Sequence, residues 1–182
     1  MIVRPAEAGE LLELDSLRRR DQEAVGFVPL DRLQADLDRD AMTVLTGWEN
    51  GDMVGHLWWT RGLPVASIQQ VVIREDARRR ERGTALVGAA LDAMRQDERR
   101  YGVTCRCRVD LAATDFWLAA GFKAVRLEES GRRGPCLRLF RELRPTLFDL
   151  GLYLPMRGIT QGGSRIGFRP VTGLSTKRRP AV

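Results

Sequence analysis

The stretch 74-REDARRRERGTALVG-88 packs five arginines into nine residues, then turns abruptly small and apolar. Taken alone it fits a nucleic-acid patch, a solvated charge run or a cradle for one phosphate group. Its neighbours decide between these. Upstream lies Val65–Ile73, a β-prone run rich in Val and Ile. Downstream, Thr84–Glu98 places Val87, Leu91 and Met94 on one stripe, with Ala85, Ala89 and Ala93 for close packing, which reads as a helix lying on a sheet. The arginines therefore occupy a strand–turn–helix corner. A helix start presents unpaired backbone N–H groups with partial positive charge. Anions, pyrophosphate above all, bind there. Arginines beside it add charge-assisted hydrogen bonds, and Gly83 allows close backbone approach.

The rest of the chain extends the same alternation. Ile2–Arg4 is a short strand closed by Pro5. Ala8–Asp21 reads as a helix with Leu11, Leu14 and Leu17 at near-helical spacing, acids early and arginines late. Asp31 is placed to cap a helix over Arg32–Arg39. Met42–Trp48 and Met53–Arg61 form a hairpin around Asn50-Gly51. Val103–Val109 is a further strand, Ala112–Ala120 a short helix ended by Gly121, and Phe122–Leu127 with Leu137–Leu143 a last hairpin. Hairpins mixed with helix crossovers predict an α/β (α+β) domain: a mixed sheet covered by helices.

Composition sets the outer bounds. With 182 residues, 43% apolar and 30% charged, the chain suits one soluble domain with a core, residues 1–144, plus an extension. No apolar run spans a bilayer, and Met1–Leu14 lacks the layout of a secretory signal. Cys105, Cys107 and Cys136 are too few for a disulfide framework, so a reducing, cytoplasmic setting is expected. Residues 145–182 hold Arg157, Arg165, Arg169, Lys177, Arg178 and Arg179 against Asp149, nearly all of the net charge of +6. This extension reads as partly docked through Leu147–Leu154, then extended. Its 157–182 part either binds a polyanion such as nucleic acid or is merely solvated.

Two motifs carry a family resemblance. In the GNAT N-acetyltransferase superfamily the acyl-CoA loop reads Arg/Gln-x-x-Gly-x-Gly/Ala between a strand and a helix. Here Arg78-Arg79-Arg80-Glu81-Arg82-Gly83 stands in that place, with Glu81 at the middle glycine. Downstream, the family's Asn-x-x-Ala-x-x-x-Tyr-x-x-x-Gly-Phe resembles Asp110 through Phe122, with Ala113, Gly121 and Phe122 in register, Asp110 for Asn and Trp117 for Tyr. Phe116-Trp117 before Gly121-Phe122 also resembles a phage- and plasmid-borne subset. The resemblance spans about residues 1–144. It implies a mostly antiparallel sheet of six to seven strands with a V-shaped opening between the fourth and fifth, Val65–Ile73 and Val103–Val109.

It further implies acetyl-CoA, or another acyl-CoA, as co-substrate. Pantetheine would pair with main chain at Val71, Val72 and Ile73, and the pyrophosphate would lie over Arg78, Arg79, Arg80, Glu81, Arg82, Gly83 and Thr84, with Trp117 alongside. A primary amine would attack the thioester directly, the carbonyl polarised by a strand N–H. The family's base is often a Glu on the fourth strand. Here that strand offers Gln69 and Gln70, which hold water but take no proton. His56 and Asp110 are the candidate bases, or else a structural histidine and a helix cap. The family's acid is a Tyr, and Trp117 cannot donate a proton at neutral pH. Trp58, Gln70, Arg132 and Arg133 are candidate acceptor contacts; the two arginines suit an acidic or phosphate-bearing substrate. Alternatives are the same fold acting on a nucleic acid or tRNA-linked amine, with the tail as tether, and a degenerate CoA-binding protein. No metal is expected: Cys105-Arg106-Cys107-Arg108 reads as interior thiols alternating with outward arginines. A monomer or homodimer is expected.

Overall fold

The structure, a computed structural model, describes residues 1–26, 28–129 and 134–145. One seven-stranded sheet runs through it, in the order β1-β2-β3-β4-β5-β7-β6. The strands are β1 (Ile2–Pro5), β2 (Met42–Glu49), β3 (Asp52–Thr60), β4 (Val65–Ile73), β5 (Gly102–Arg108), β6 (Lys123–Glu128) and β7 (Cys136–Glu142). The helices are α1 (Leu11–Arg20), α2 (Gln22–Val25), α3 (Leu30–Asp38), α4 (Arg82–Arg95) and α5 (Ala113–Ala119).

The central strand β3 is buried on both faces because helices cover both. On β3, Leu57 and Trp59 point toward α4, while Trp58 points toward α1. Leu86, Val87, Ala90, Leu91 and Met94 of α4 fill the first core with Val103, Cys105 and Leu139. Leu11, Leu14 and Leu17 of α1 and Leu33 of α3 fill the second with Val44, Trp58 and Val72. Leu14, Leu57 and Leu86 are fully buried, each contributing roughly 1.5–3 kcal/mol of transfer free energy. No helix among the described residues is long and apolar enough to cross a membrane.

Most sequence-predicted elements form within two or three residues of their expected bounds. The β2–β3 turn uses Asn50 (φ 52°) and Gly51 (φ 88°), the paired positive dihedrals an Asn-Gly hairpin requires. Three expectations change. The first helix starts with a 3-10 turn, Ala8–Glu10, before α1. Asp31 caps nothing: Pro29 occupies the cap position of α3, and Asp31 sits inside the first turn. The short α2, closed by Gly26 at φ 85°, carries too little periodicity to be read.

The pairing of β4 decides what the fold can do. Every neighbouring pair is antiparallel except β4–β5. That parallel pair holds over only three positions, Val65↔Gly102 to Ser67↔Thr104. On its other side β4 slips register against β3 at Trp58/Trp59: Gln70 faces Trp58 and Ile68 faces Trp59, leaving Gln69 as the extra residue. A bulge bends and twists its strand. Beyond it, Gln70–Ile73 run on beside β3 while β5 goes its own way. The result is a wedge-shaped gap whose β4 edge carries backbone groups with no partner strand.

Candidate active site

A cavity of about 530 Å³ occupies this gap. Ile68–Ile73 line one side and Cys105–Arg108 the other; Asp21, Ala24 and Val25 close it toward α2, and Phe116 and Trp117 toward α5. The mouth is formed by Ala77–Arg79 and Glu81–Gly83, where α4 begins.

The start of α4 is built to take an anion. Its first intrahelical bond is Ala85 N–H to Glu81 C=O, 2.9 Å. No side chain caps it. The N–H groups of Arg82, Gly83 and Thr84 are therefore the first-turn donors a helix leaves unspent. A Cβ on Gly83 would meet the Phe116 ring at 3.3 Å, so glycine also keeps α4 against α5. Glu81, at the family's glycine position, adopts that glycine's left-handed conformation (φ 60°, ψ 5°), and Arg79 is left-handed too (φ 59°). Such conformations cost a non-glycine residue about 1 kcal/mol or more.

The arginines divide into two groups. Arg74 is held by Asp76 (2.7 Å). Arg78 donates to the Ile73 carbonyl (2.9 Å) and to Asp21 (2.5 Å). Arg82 forks onto Glu49 (Nε–Oε1 2.8 Å), tying α4 to the β2–β3 hairpin, and this holds the Glu49 carboxyl below its usual range. Arg79 and Arg80 make no ion pair or hydrogen bond among the described residues. Those two are the free cations of the corner. Arg79 lines the cavity; Arg80 and Thr84 stand just outside it.

Not every expected site residue comes to the cavity. Val71, Val72, Ile73, Gln70 and Trp117 line it; Trp58, His56 and Asp110 do not. Trp58 is buried against α1, donating Nε1–H to Gln70 Oε1 (3.0 Å). Gln70 is spent as well: its amide donates to the carbonyls of Val25 (3.2 Å) and Gly26 (3.1 Å), fastening α2 to β4. Gln69, at the bulge, turns outward into the cavity; its amide NH₂ bonds Ser67 Oγ (2.9 Å), leaving its carbonyl oxygen unspent.

His56 is fully buried, alternating with Leu57 to face α1, and neither ring nitrogen meets a partner. Burial, abetted by the Arg18 charge and opposed by Gln70, pushes its pKa down to about 3. A ring so placed stays neutral and does not itself line the cavity. Asp110 is held by Arg108 (Nε–Oδ1 2.9 Å), whose hydrogen bond lowers its carboxyl pKa, and it caps no helix: Ala112 holds that position before α5. Arg132, Arg133 and the extension beyond residue 145 lie outside the described residues.

Trp117 is buried and packs edge-on against Phe116 (5.2 Å) and Phe122 (5.0 Å), making it both core and cavity wall. Cys105 and Cys107 point into the α4–α5 core, and burial raises both thiol pKa values. Among the described residues no three His, Cys, Asp or Glu side chains gather as a metal site.

The functional signal missed from sequence lies opposite the thiols. Arg106 and Arg108 point from β5 toward α2, and Arg108 reaches the Glu23 carbonyl (3.2 Å). In register beside them stand Arg138 on β7 and Arg126 on β6. Only the β5–β7–β6 register brings these residues together.

A sheet split between its parallel strands, with an uncapped helix start at the mouth, is the architecture of acetyl-CoA-dependent N-acetyltransferases. The acetyltransferase (GNAT) family profile matches residues 10–122, and the chain belongs to that family. Solved structures agree on the fold. An aminoglycoside 6'-N-acetyltransferase complexed with coenzyme A superposes with TM-score 0.69 at 11% identity, covering 80% of this chain and 99% of that one. A ribosomal-protein-alanine N-acetyltransferase from Brucella melitensis gives 0.65 at 17%, covering 78% and 99%. A spermidine N-acetyltransferase from Vibrio cholerae, in complex with CoA and spermine, gives 0.62 at 15%, covering 78% and 95%. No curated protein matches in sequence.

Proposed function

We propose that this enzyme moves an acetyl or short acyl group from acyl-CoA to a primary amine by direct attack within the β4–β5 gap. The observation that carries this reading is the three-pair contact of β4 with β5, followed by an open β4 edge that ends at the uncapped start of α4. The residues present suit the co-substrate. The N–H groups of Arg82, Gly83 and Thr84, with Arg79 and Arg80, match a pyrophosphate in charge and donor number. The unpaired edge along Val71–Ile73 suits an amide-bearing arm, as a strand suits another strand. Acetyl-CoA supplies the thioester. A backbone N–H of this edge polarises the thioester carbonyl, and the walls hold amine and thioester in line.

Proton removal needs no side-chain base inside the cavity. The unspent carbonyl oxygen of Gln69 is free to accept from a water next to the gap, through which the proton would pass to bulk solvent. His56 and Asp110 are not assigned this role: the first is sealed in the core and the second is bound to Arg108. Trp117 shapes the thiol end and donates no proton there.

Millimolar acetyl-CoA is expected to raise Tm, by the equivalent of about 2.7 kcal/mol at one hundred times Kd. Thiol release with an amine, confirmed by mass of the product, tests turnover. A Tm rise without turnover on any amine favours the second reading, a CoA-binding domain without catalysis, which draws on Trp117 at the Tyr position and Glu81 at the glycine. A role of residues 157–182 in holding nucleic acid or a tRNA-linked amine is a separate proposal. Their deletion would remove salt-dependent RNA binding.

A further inference from the structure

The β5 wall of the gap has its own chemistry. Arg106, Arg108, Arg126 and Arg138 share one face of β5, β7 and β6, and among the described residues only Glu128 and Asp110 form ion pairs with them. Asp110 is taken by Arg108. Glu128 is shared by the other three. Its Oε1 receives Arg138 Nε (3.0 Å) and Arg126 Nη2 (3.1 Å); its Oε2 receives Arg138 Nη2 (3.1 Å) and faces Arg106 Nε (2.9 Å). A carboxylate offers about four acceptor sites, so Glu128 is saturated. Arg106 has spent only Nε, on an ion pair without hydrogen-bond geometry; its terminal nitrogens have no acceptor among the described residues. Arg106 lines the cavity and stands two residues past the last β4–β5 pair, about 7 Å along the strand. Arg106, the residue with unspent guanidinium donors, is thus part of the cavity wall.

We infer that this wall is an oxyanion subsite for the acceptor: the amine substrate carries a carboxylate or phosphate beside its primary amine, gripped by Arg106 with Arg138 and Arg126 behind it. The inference rests on the acyl-transfer reading above. A guanidinium presents two parallel N–H groups matched to such oxyanions. A polycation would meet four arginines and two carboxylates already in use. Orientation follows too, since an anion fixed near the narrow end of the gap holds the adjacent amine at the β4 edge.

Matched amines test this: L-alanine against L-alaninamide, O-phosphoethanolamine against ethanolamine, and spermidine as polycation. Each is assayed for kcat/KM with acetyl-CoA and titrated calorimetrically into CoA-saturated protein. The anionic member of at least one pair should be favoured tenfold or more. The amide's amine loses its proton more readily than the amino acid's, so intrinsic reactivity opposes that result. The pair that shows it tells carboxylate from phosphate. Arg106→Gln should bring the ratio to within about threefold of unity, and Arg106→Glu should invert it. If these variants do not fold, Arg106→Lys keeps the charge, loses the fork and should lower the ratio less. No anion preference in wild type, or one that survives these variants, overturns the inference. Failure of CoA itself to bind removes the acyl-transfer reading; CoA binding without anion preference removes only this one.

Discussion

Two arginine clusters among the described residues are opposites. The corner at 74–82 is dense in sequence, yet Arg74, Arg78 and Arg82 are consumed by Asp76, Asp21 and Glu49. The wall of β5, β7 and β6 is dispersed over more than thirty residues of chain, yet three of its four arginines converge on one carboxylate. A run of like charge in sequence overstates the charge a site can use, because neighbouring acids have claimed most of it. A set spread over three strands understates it. In the corner the arginines chiefly brace the fold; in the wall their excess is what remains to bind.

Removing the acid from the wall should have the largest effect. Glu128→Ala leaves three buried or half-buried guanidiniums facing one another, and should cost about 3 kcal/mol of stability by denaturant melt. The pH dependence carries the same signature. Burial resists the Glu128 charge, but Arg138, Arg126 and Arg106 outweigh it and hold its pKa below the ordinary value of 4.5. Its stabilising contribution is present above that value and is lost as pH falls through the lowered one, so the acid limb of Tm against pH should flatten in Glu128→Ala. A loss no greater than that of a surface substitution would break the contrast between the clusters.

The corner's prediction comes next. Arg79→Ala with Arg80→Ala should weaken acetyl-CoA binding by roughly 10–100-fold, the worth of one or two charge-assisted hydrogen bonds, with Tm in the absence of ligand nearly unchanged. Arg74→Ala is its partner control and should shift neither quantity by more than about 0.5 kcal/mol. Equal effects from the two would mean that free and spent arginines cannot be told apart by their partners.

His56 lies outside both clusters and isolates a third quantity. It is the only histidine in the chain. Its folded pKa, about 3, lies far below the ordinary 6.5, so the unfolded chain binds the extra proton between those values. Stability should fall as pH drops below about 6.5, by up to about 1.4 kcal/mol per pH unit. In His56→Leu the histidine's share of that slope should vanish while acetyl transfer persists; loss of turnover with an intact fold would restore it as a base. Smallest is Glu81→Gly, which relieves a left-handed side chain and should add about 1 kcal/mol and tighten acetyl-CoA binding a few-fold.

The fold was readable where local chemistry acts alone. Val65–Ile73 has its predicted bounds because β-branched residues end at a polar turn, and Asn50-Gly51 fixes its hairpin by dihedral preference. Asp31 misled because Pro29 starts the helix two residues earlier. At the site, the phosphate corner was legible because its residues are contiguous. The spent state of Gln70, the burial of His56 and the arginine wall depend on register between distant strands, which periodicity does not encode. The bulge at Gln69 could be located only by pairing β4 against β3.

The brevity of the β4–β5 contact has a mechanical consequence. Along the sheet, four strands on one side and three on the other are joined by three residue pairs, so the rest of the join falls to the α4 core. A molecule lying across the gap would add a second bridge between the two halves. Amide protons on the open edge of β4 should exchange rapidly in the free enzyme and slow sharply once acetyl-CoA bridges it, while those between β2 and β3 should not respond.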